Sequence, residues 1–258
     1  MSTAETATLD TATAGVSDSP GIARYVTQPL VCVLVVVGCL VFVQTADVSD
    51  SEARALAISN LLPLFGQHLS VSLIATVVTV VVAVPIGVLL TRGPMRRYSK
   101  PIITVAGFGQ AAPAIGLIAL GAAIFGIGTF GAAAALVVYG LLPIIANTVA
   151  GIDSVDPKLV EAGRGMGMSG FSTLVRVEVP LALPIIVAGV RTALVLIVGT
   201  AALVSFTGGG GLGHLITSGI KLQQNVVLII GALLIASLAL FIDWIARVVE
   251  IVASPKGV

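Results

Sequence analysis

Hydrophobic residues in this chain come in long unbroken runs rather than in alternation. Six stretches reach the length of a membrane-spanning helix, about 20 mainly apolar residues. They run from Pro29 to Ala46, His68 to Leu90, Pro101 to Phe125, Phe130 to Gly151, Leu181 to Phe206 and Val226 to Val252. Many of these residues are Val, Ile and Thr, which favour strands in water. In a bilayer the backbone must satisfy its own hydrogen bonds, and runs this long without a period of two predict helices, not barrel strands. Residues 1–28 differ: Thr, Ala, Ser, Asp and Gly dominate, and the segment is expected to be a disordered tail ahead of a membrane domain over 29–258. The first run follows Asp10 and Asp18 with only Arg24 basic, and no clear A-x-A site follows it, so it reads as a retained helix rather than a cleaved signal.

Charge orients the runs. Arg92, Arg96, Arg97 and Lys100 follow the second run, and Lys158, Arg164 and Arg176 lie between the fourth and fifth. By parity both groups share a side with Arg24 and Lys256, whereas the opposite side offers Arg54 and Lys221. The positive-inside rule makes the first side cytoplasmic, with both termini inside. Of 258 residues, 57% are apolar and 10% charged, against about 25% charged in a soluble domain. A soluble enzyme is thereby excluded, and a net charge of +1 gives no argument for nucleic acid. Cys32 and Cys39 lie two helical turns apart on one face, too far to bridge, and read as small core or lipid-facing residues. The expected fold is all-α and polytopic, in contact with membrane lipid.

Pro85, Pro113, Pro143 and Pro184 are expected to kink their helices, and small residues such as Ala111, Ala112, Ala114, Gly116 and Gly121 allow close helix approach. G-x-G-x-x-G occurs at Gly126, Gly165 and Gly208, but none follows a strand in a βαβ unit, so no dinucleotide site is inferred. No P-loop, G-x-S-x-G or H-E-x-x-H pattern occurs. His68 and His214 are expected at the outer interface, hydrogen-bonded locally, without metal-ligand spacing. No catalytic residue, metal or cofactor is expected in the chain itself.

The segment from Gly151 to Pro184 is the most informative. Asp156-Pro157 starts a short helix, with Asp156 as N-cap. A flexible Gly163–Gly170 stretch is expected to follow, then a second short helix from Phe171 to Glu178 that ends at Val179-Pro180. Met166, Met168 and Phe171 are expected to be exposed among charges, which marks a protein-binding surface.

Glu161-Ala162-Gly163, three residues, Gly167, nine residues and Val177-Glu178-Val179-Pro180 resembles the EAA loop of bacterial ABC-importer permeases. The departures are Gly163 for the second alanine, and Val177 and Val179 for Ile and Leu. The stretches at 141–152, 163–170, 176–193 and 207–216 look like permeases for glycine betaine, carnitine, choline and related osmoprotectants. The resemblance covers roughly residues 60–250. It implies a type I ABC-importer permease fold in the bacterial plasma membrane, performing transport and no covalent chemistry. It further implies two ABC ATPase subunits that bind the ATP, a second permease subunit and an extracytoplasmic substrate-binding protein. Residues 152–180 would be the coupling loop, with Glu161, Ala162, Gly163, Arg164, Gly167 and Pro180 at the ATPase. With 5% aromatic residues and no visible cation–π box, choice of solute is expected to rest mainly with the binding protein. A methionine-importer permease and a stand-alone channel or carrier are the alternatives. The carrier would need intramembrane carboxylates along a path, and the chain offers only Asp243 and Glu250.

Arg191 falls about ten residues into the fifth run, near mid-bilayer, with Asp243 as its candidate partner. An interhelical ion pair and a pathway residue both fit. Asn147 and Thr148 are expected to form helix–helix hydrogen bonds. Thr207–Gly213, with Gly209, Gly210 and Gly211 at its centre, closes the fifth run outside, as a gate, a docking floor or a plain loop.

Overall fold

The computed structural model describes the backbone of residues 22–253 and the side chains of residues 26–251. Residues 1–21 of the expected tail lie outside the described residues, whereas 22–28 already belong to the first helix. In chain order the α-helices are α1 (Ile22–Thr45), α2 (Asp50–Ala55), α3 (Ile58–Leu90), α4 (Ser99–Ala111), α5 (Ala114–Phe125), α6 (Thr129–Asp153), α7 (Pro157–Gly165), α8 (Gly170–Thr173), α9 (Val179–Thr200), α10 (Gly213–Leu222) and α11 (Asn225–Ala253). Among the described residues there is no strand.

Five helical units are long and apolar enough to cross a membrane alone: those of α1, α3, α6, α9 and α11. The third predicted span is different. It is broken between Ala111 and Ala114 and bends by 97°. Pro113 causes the break, because it offers no N–H to the helix and its ring collides with the preceding turn. The pair α4–α5 still crosses the bundle rather than returning. Arg96, just before α4, bonds Asp153 at the end of α6 at 3.2 Å, so these two points share a side. A 25-residue α6 must begin on the opposite side, where α5 ends. The bundle therefore has six spans, one of them broken.

Other boundaries moved as well. α3 begins ten residues before His68, and α9 continues a helix that starts at Gly170. The second short helix of the polar loop thus does not stop at Val179-Pro180. A π-helical turn, Leu174–Glu178, widens the helix just before Pro180, with the Val179 N–H donating to the Leu174 carbonyl. That extra residue in the turn accommodates a proline that would otherwise clash with a carbonyl four residues back. Two short helices, α2 and α10, were not expected from the apolar pattern. α2 is fixed by a capping box in which Ser49 and Glu52 exchange hydrogen bonds.

The core is built by α6, which packs most extensively against α9 and α3. Ile144, Leu136, Ala132, Ala83, Ala193 and Ile197 are fully buried there. Close approach depends on glycine: a Cβ on Gly189 would lie 2.6 Å from the Asn147 Cβ, inside contact distance. α1 stands at the edge, held by α11, with Cys32 and Cys39 buried in that seam. Asn147 donates to the Pro143 carbonyl of its own helix at 2.8 Å, and Thr148 Oγ1 has no partner among the described residues. Neither residue forms the expected interhelical hydrogen bond among the described residues.

Candidate functional site: the polar loop and its ties to the bundle

One end of the bundle carries most of the charge, and its polar loop is helical as far as Gly165 and closed by a capped turn. Asp156 Oδ1 accepts from the Lys158 N–H at 2.9 Å, and Pro157 occupies the first turn of α7. The helix runs through Gly163 to Gly165, further than expected. It ends in a Schellman motif: the Gly167 N–H donates to the Arg164 carbonyl at 2.9 Å and the Met168 N–H to the Gly163 carbonyl at 3.2 Å. Gly167 has φ +84°, the conformation that closes this motif and that side chains rarely adopt.

Gly163 faces inward, against Thr173, Met168 and Val177. A Cβ there would meet their atoms at 3.5, 3.6 and 3.7 Å, ordinary contact distances. The position therefore accepts alanine, and Gly163→Ala should stabilise α7 by up to about 1 kcal/mol through helix propensity. Gly167→Ala should cost about 1–2 kcal/mol by forcing a left-handed residue. Trypsin cleavage after the exposed Arg164 gives the readout: slower in the first variant, several-fold faster in the second. Equal rates would show that the loop is not held by this cap.

The outward side of the loop is apolar at its centre. Met166 is 73% exposed and Phe171 76%, with Leu159 and Val175 half exposed beside them. Met168 is half-buried beneath Gly163, contrary to expectation. Glu161, Ala162 and Arg164 are exposed, and no ion pair joins Glu161 to Arg164 among the described residues. The loop's foot is anchored by charges the spacing did not reveal. Glu178, 4% exposed, receives both terminal nitrogens of Arg92, with Nη1 at 3.0 Å from Oε1. A bidentate Arg–carboxylate pair fixes direction as well as distance. With Arg96–Asp153, it ties the 92–98 segment to both ends of the polar loop.

Inside the bundle, Arg191 Nε bonds Asp243 at 2.7 Å and Nη1 bonds Glu250 at 3.1 Å. Arg247 and Gln28 complete the group on Asp243, each at 3.1 Å. The Arg191 guanidinium thus joins α9 to α11, with α1 tied on through Gln28. The partner named from sequence is the one found, and Glu250 and Arg247 extend it.

At the opposite end, the glycine loop is seated on α3. Gly208, Gly210 and Gly211 have φ of +77°, +73° and +82°. The Gly211 N–H donates to Gln67 Oε1 at 3.1 Å, and Gly209 is buried against Val204. Next to Gln67, His68 is 1% exposed, not interfacial, with Nε2 3.0 Å from the Val198 carbonyl. A carbonyl partner requires Nε2 to carry the proton. His68 lies inside the bundle rather than at its interface because α3 begins ten residues before it, at Ile58. His214 is exposed on α10, and no group of metal-ligating side chains occurs among the described residues.

The structure is a six-span bundle with an apolar-centred loop braced at one end by Arg92–Glu178 and Arg96–Asp153. The chain belongs to the family described as "Binding-protein-dependent transport system inner membrane component", whose model matches residues 83–250. It is 43% identical over 192 residues to the glycine betaine/carnitine/choline transport system permease protein OpuCB of Bacillus subtilis, covering 74% of this chain and 88% of that one. It is 41% identical to the choline transport system permease protein OpuBB of the same organism, covering 74% and 87%. The osmoprotectant import permease protein OsmW of Salmonella typhimurium is 39% identical, covering 74% and 91%. The fold matches an inward-facing MetNI methionine ABC transporter structure with TM-score 0.65 at 22% identity, covering 76% of this chain and 96% of that one. The chain is thus a non-enzymatic, multi-pass permease subunit of an ABC importer.

Proposed function

We propose that this permease carries osmoprotectants of the glycine betaine, carnitine and choline type into the cell, powered by ATP hydrolysis in partner subunits. The observation that carries the reading is the 43% identity over 192 residues to a permease named for those three solutes. The methionine-transporter structures match at 21–22% identity and speak for the fold alone. A second permease copy or close paralogue completes the passage, two ATPase subunits bind the ATP, and an extracytoplasmic binding protein delivers and selects the solute. The end bearing Arg92–Lys100 and α7 is cytoplasmic by the positive-inside rule, as are both termini.

In this reading α7 seats in the ATPase through Glu161, Ala162, Gly163 and Arg164, with Gly167 setting the exit of the chain. Exposed Met166 and Phe171 supply the apolar anchors that carry most of an interface's energy. Arg92–Glu178 and the Pro180 turn pass movement of the loop into α9. Gly209, Gly210 and Gly211 close the outer end, where Gln67 holds them. ATP shifts the population between inward and outward states.

The test is co-reconstitution with the cognate ATPase and binding protein in proteoliposomes. ATP-dependent uptake of radiolabelled glycine betaine, carnitine or choline, with methionine excluded, is expected. Uptake of methionine instead, or uptake indifferent to ATP, would overturn the assignment.

A further inference from the structure

The broken span poses a physical problem. α4 has thirteen residues, about 20 Å of helix at 1.5 Å per residue. A 97° bend shared with twelve-residue α5 tilts both, so the break lies about 13 Å from the basic end, within the bilayer. There the helix stops. The carbonyls of Gly109, Gln110 and Ala111 lose their helical donors, because Pro113 has no N–H and Ala114 and Ile115 belong to a helix turned by 97°. Ala111, Pro113 and Gly116 are exposed at the break, and α4 contributes no buried residue. Half-buried Gln110 makes no side-chain hydrogen bond among the described residues.

Open backbone at this depth does not face lipid. It is tolerated only where protein buries it or where it lines a water-filled cavity. Within this chain nothing buries it, and an unpartnered amide beside three free carbonyls is suited to water. We propose that the break from Gln110 to Gly116 lines the aqueous passage through which the solute crosses. The inference rests on the permease reading above and names the wall of its path.

Cysteine accessibility tests it. Ala111→Cys, Gly116→Cys and Gln110→Cys are made singly in a chain carrying Cys32→Ala and Cys39→Ala. The control is Val81→Cys, at similar depth on α3 and 65% exposed on its outer surface. Membrane vesicles holding the assembled transporter receive a permanently charged methanethiosulfonate on both sides. Only an ionised thiol reacts, so a passage position should label at least about tenfold faster than Val81→Cys. Excess glycine betaine with binding protein and ATP should slow labelling at Ala111→Cys. If all three positions label no faster than the control, the break is dry and the proposal falls. Labelling is read without transport, so fast labelling in a transporter that takes up a different solute would sink the solute assignment and leave the passage standing.

Discussion

Glu161→Lys is expected to abolish ATP-driven uptake while leaving the permease folded in the membrane. The side chain is exposed on α7, one turn after the Asp156 cap, and makes no hydrogen bond or ion pair within the described residues. Nothing in the bundle therefore depends on it. Its carboxylate is free to meet a partner, and reversing a charge opposite a complementary surface costs several kcal/mol. Every 1.4 kcal/mol is a factor of ten in affinity, so ATPase capture should fall by at least about tenfold and uptake with it. The check is ATPase co-purification and vesicle uptake on the same preparation. Unchanged uptake would remove this residue, and the docking role of α7, from the mechanism.

The second large effect is on stability. Arg191→Leu removes the cation that joins Asp243 to Glu250 and leaves Asp243 with Arg247 and Gln28. Breaking a buried ion pair typically costs about 3–5 kcal/mol. These side chains retain between 17% and 25% exposure, so about 2–3 kcal/mol is expected here after allowance for screening. The measurement is the fraction remaining monodisperse after heating in mild detergent. Arg191→Lys, which keeps a cation at the position, should recover part of the loss. If the single variant were as stable as the parent, the cluster would not be what holds α9 to α11.

The resemblance of the polar loop was readable because its chemistry is local. An N-cap, a helix-entering proline and a glycine at a cap position act over a few residues, so Asp156, Pro157 and Gly167 announce their roles in order along the chain. Arg191–Asp243 was legible for a different reason: two opposite charges in otherwise apolar spans have few partners to choose from. Arg92–Glu178 gave no such signal. Each residue lies among other charges near an interface, and 86 positions separate them. Position 68 misled because hydrophobic runs mark only where a helix is apolar, and Ile58–Gln67 is helical although it mixes polar and apolar residues.

Length, apolar content and the asymmetry of lysine and arginine by themselves determined that this chain is a helical membrane bundle with one charged end. Burial free energy scales with apolar area, whatever the partner, so a sequence states it directly. The tertiary structure decided which charges meet, where the third span breaks and which glycines are needed. Those outcomes depend on angles: a proline can kink a helix or end it, and only its neighbours fix which. At Pro85, Pro143 and Pro184 the helix continues, whereas at Pro113 the chain turns by 97° and leaves its backbone open at depth.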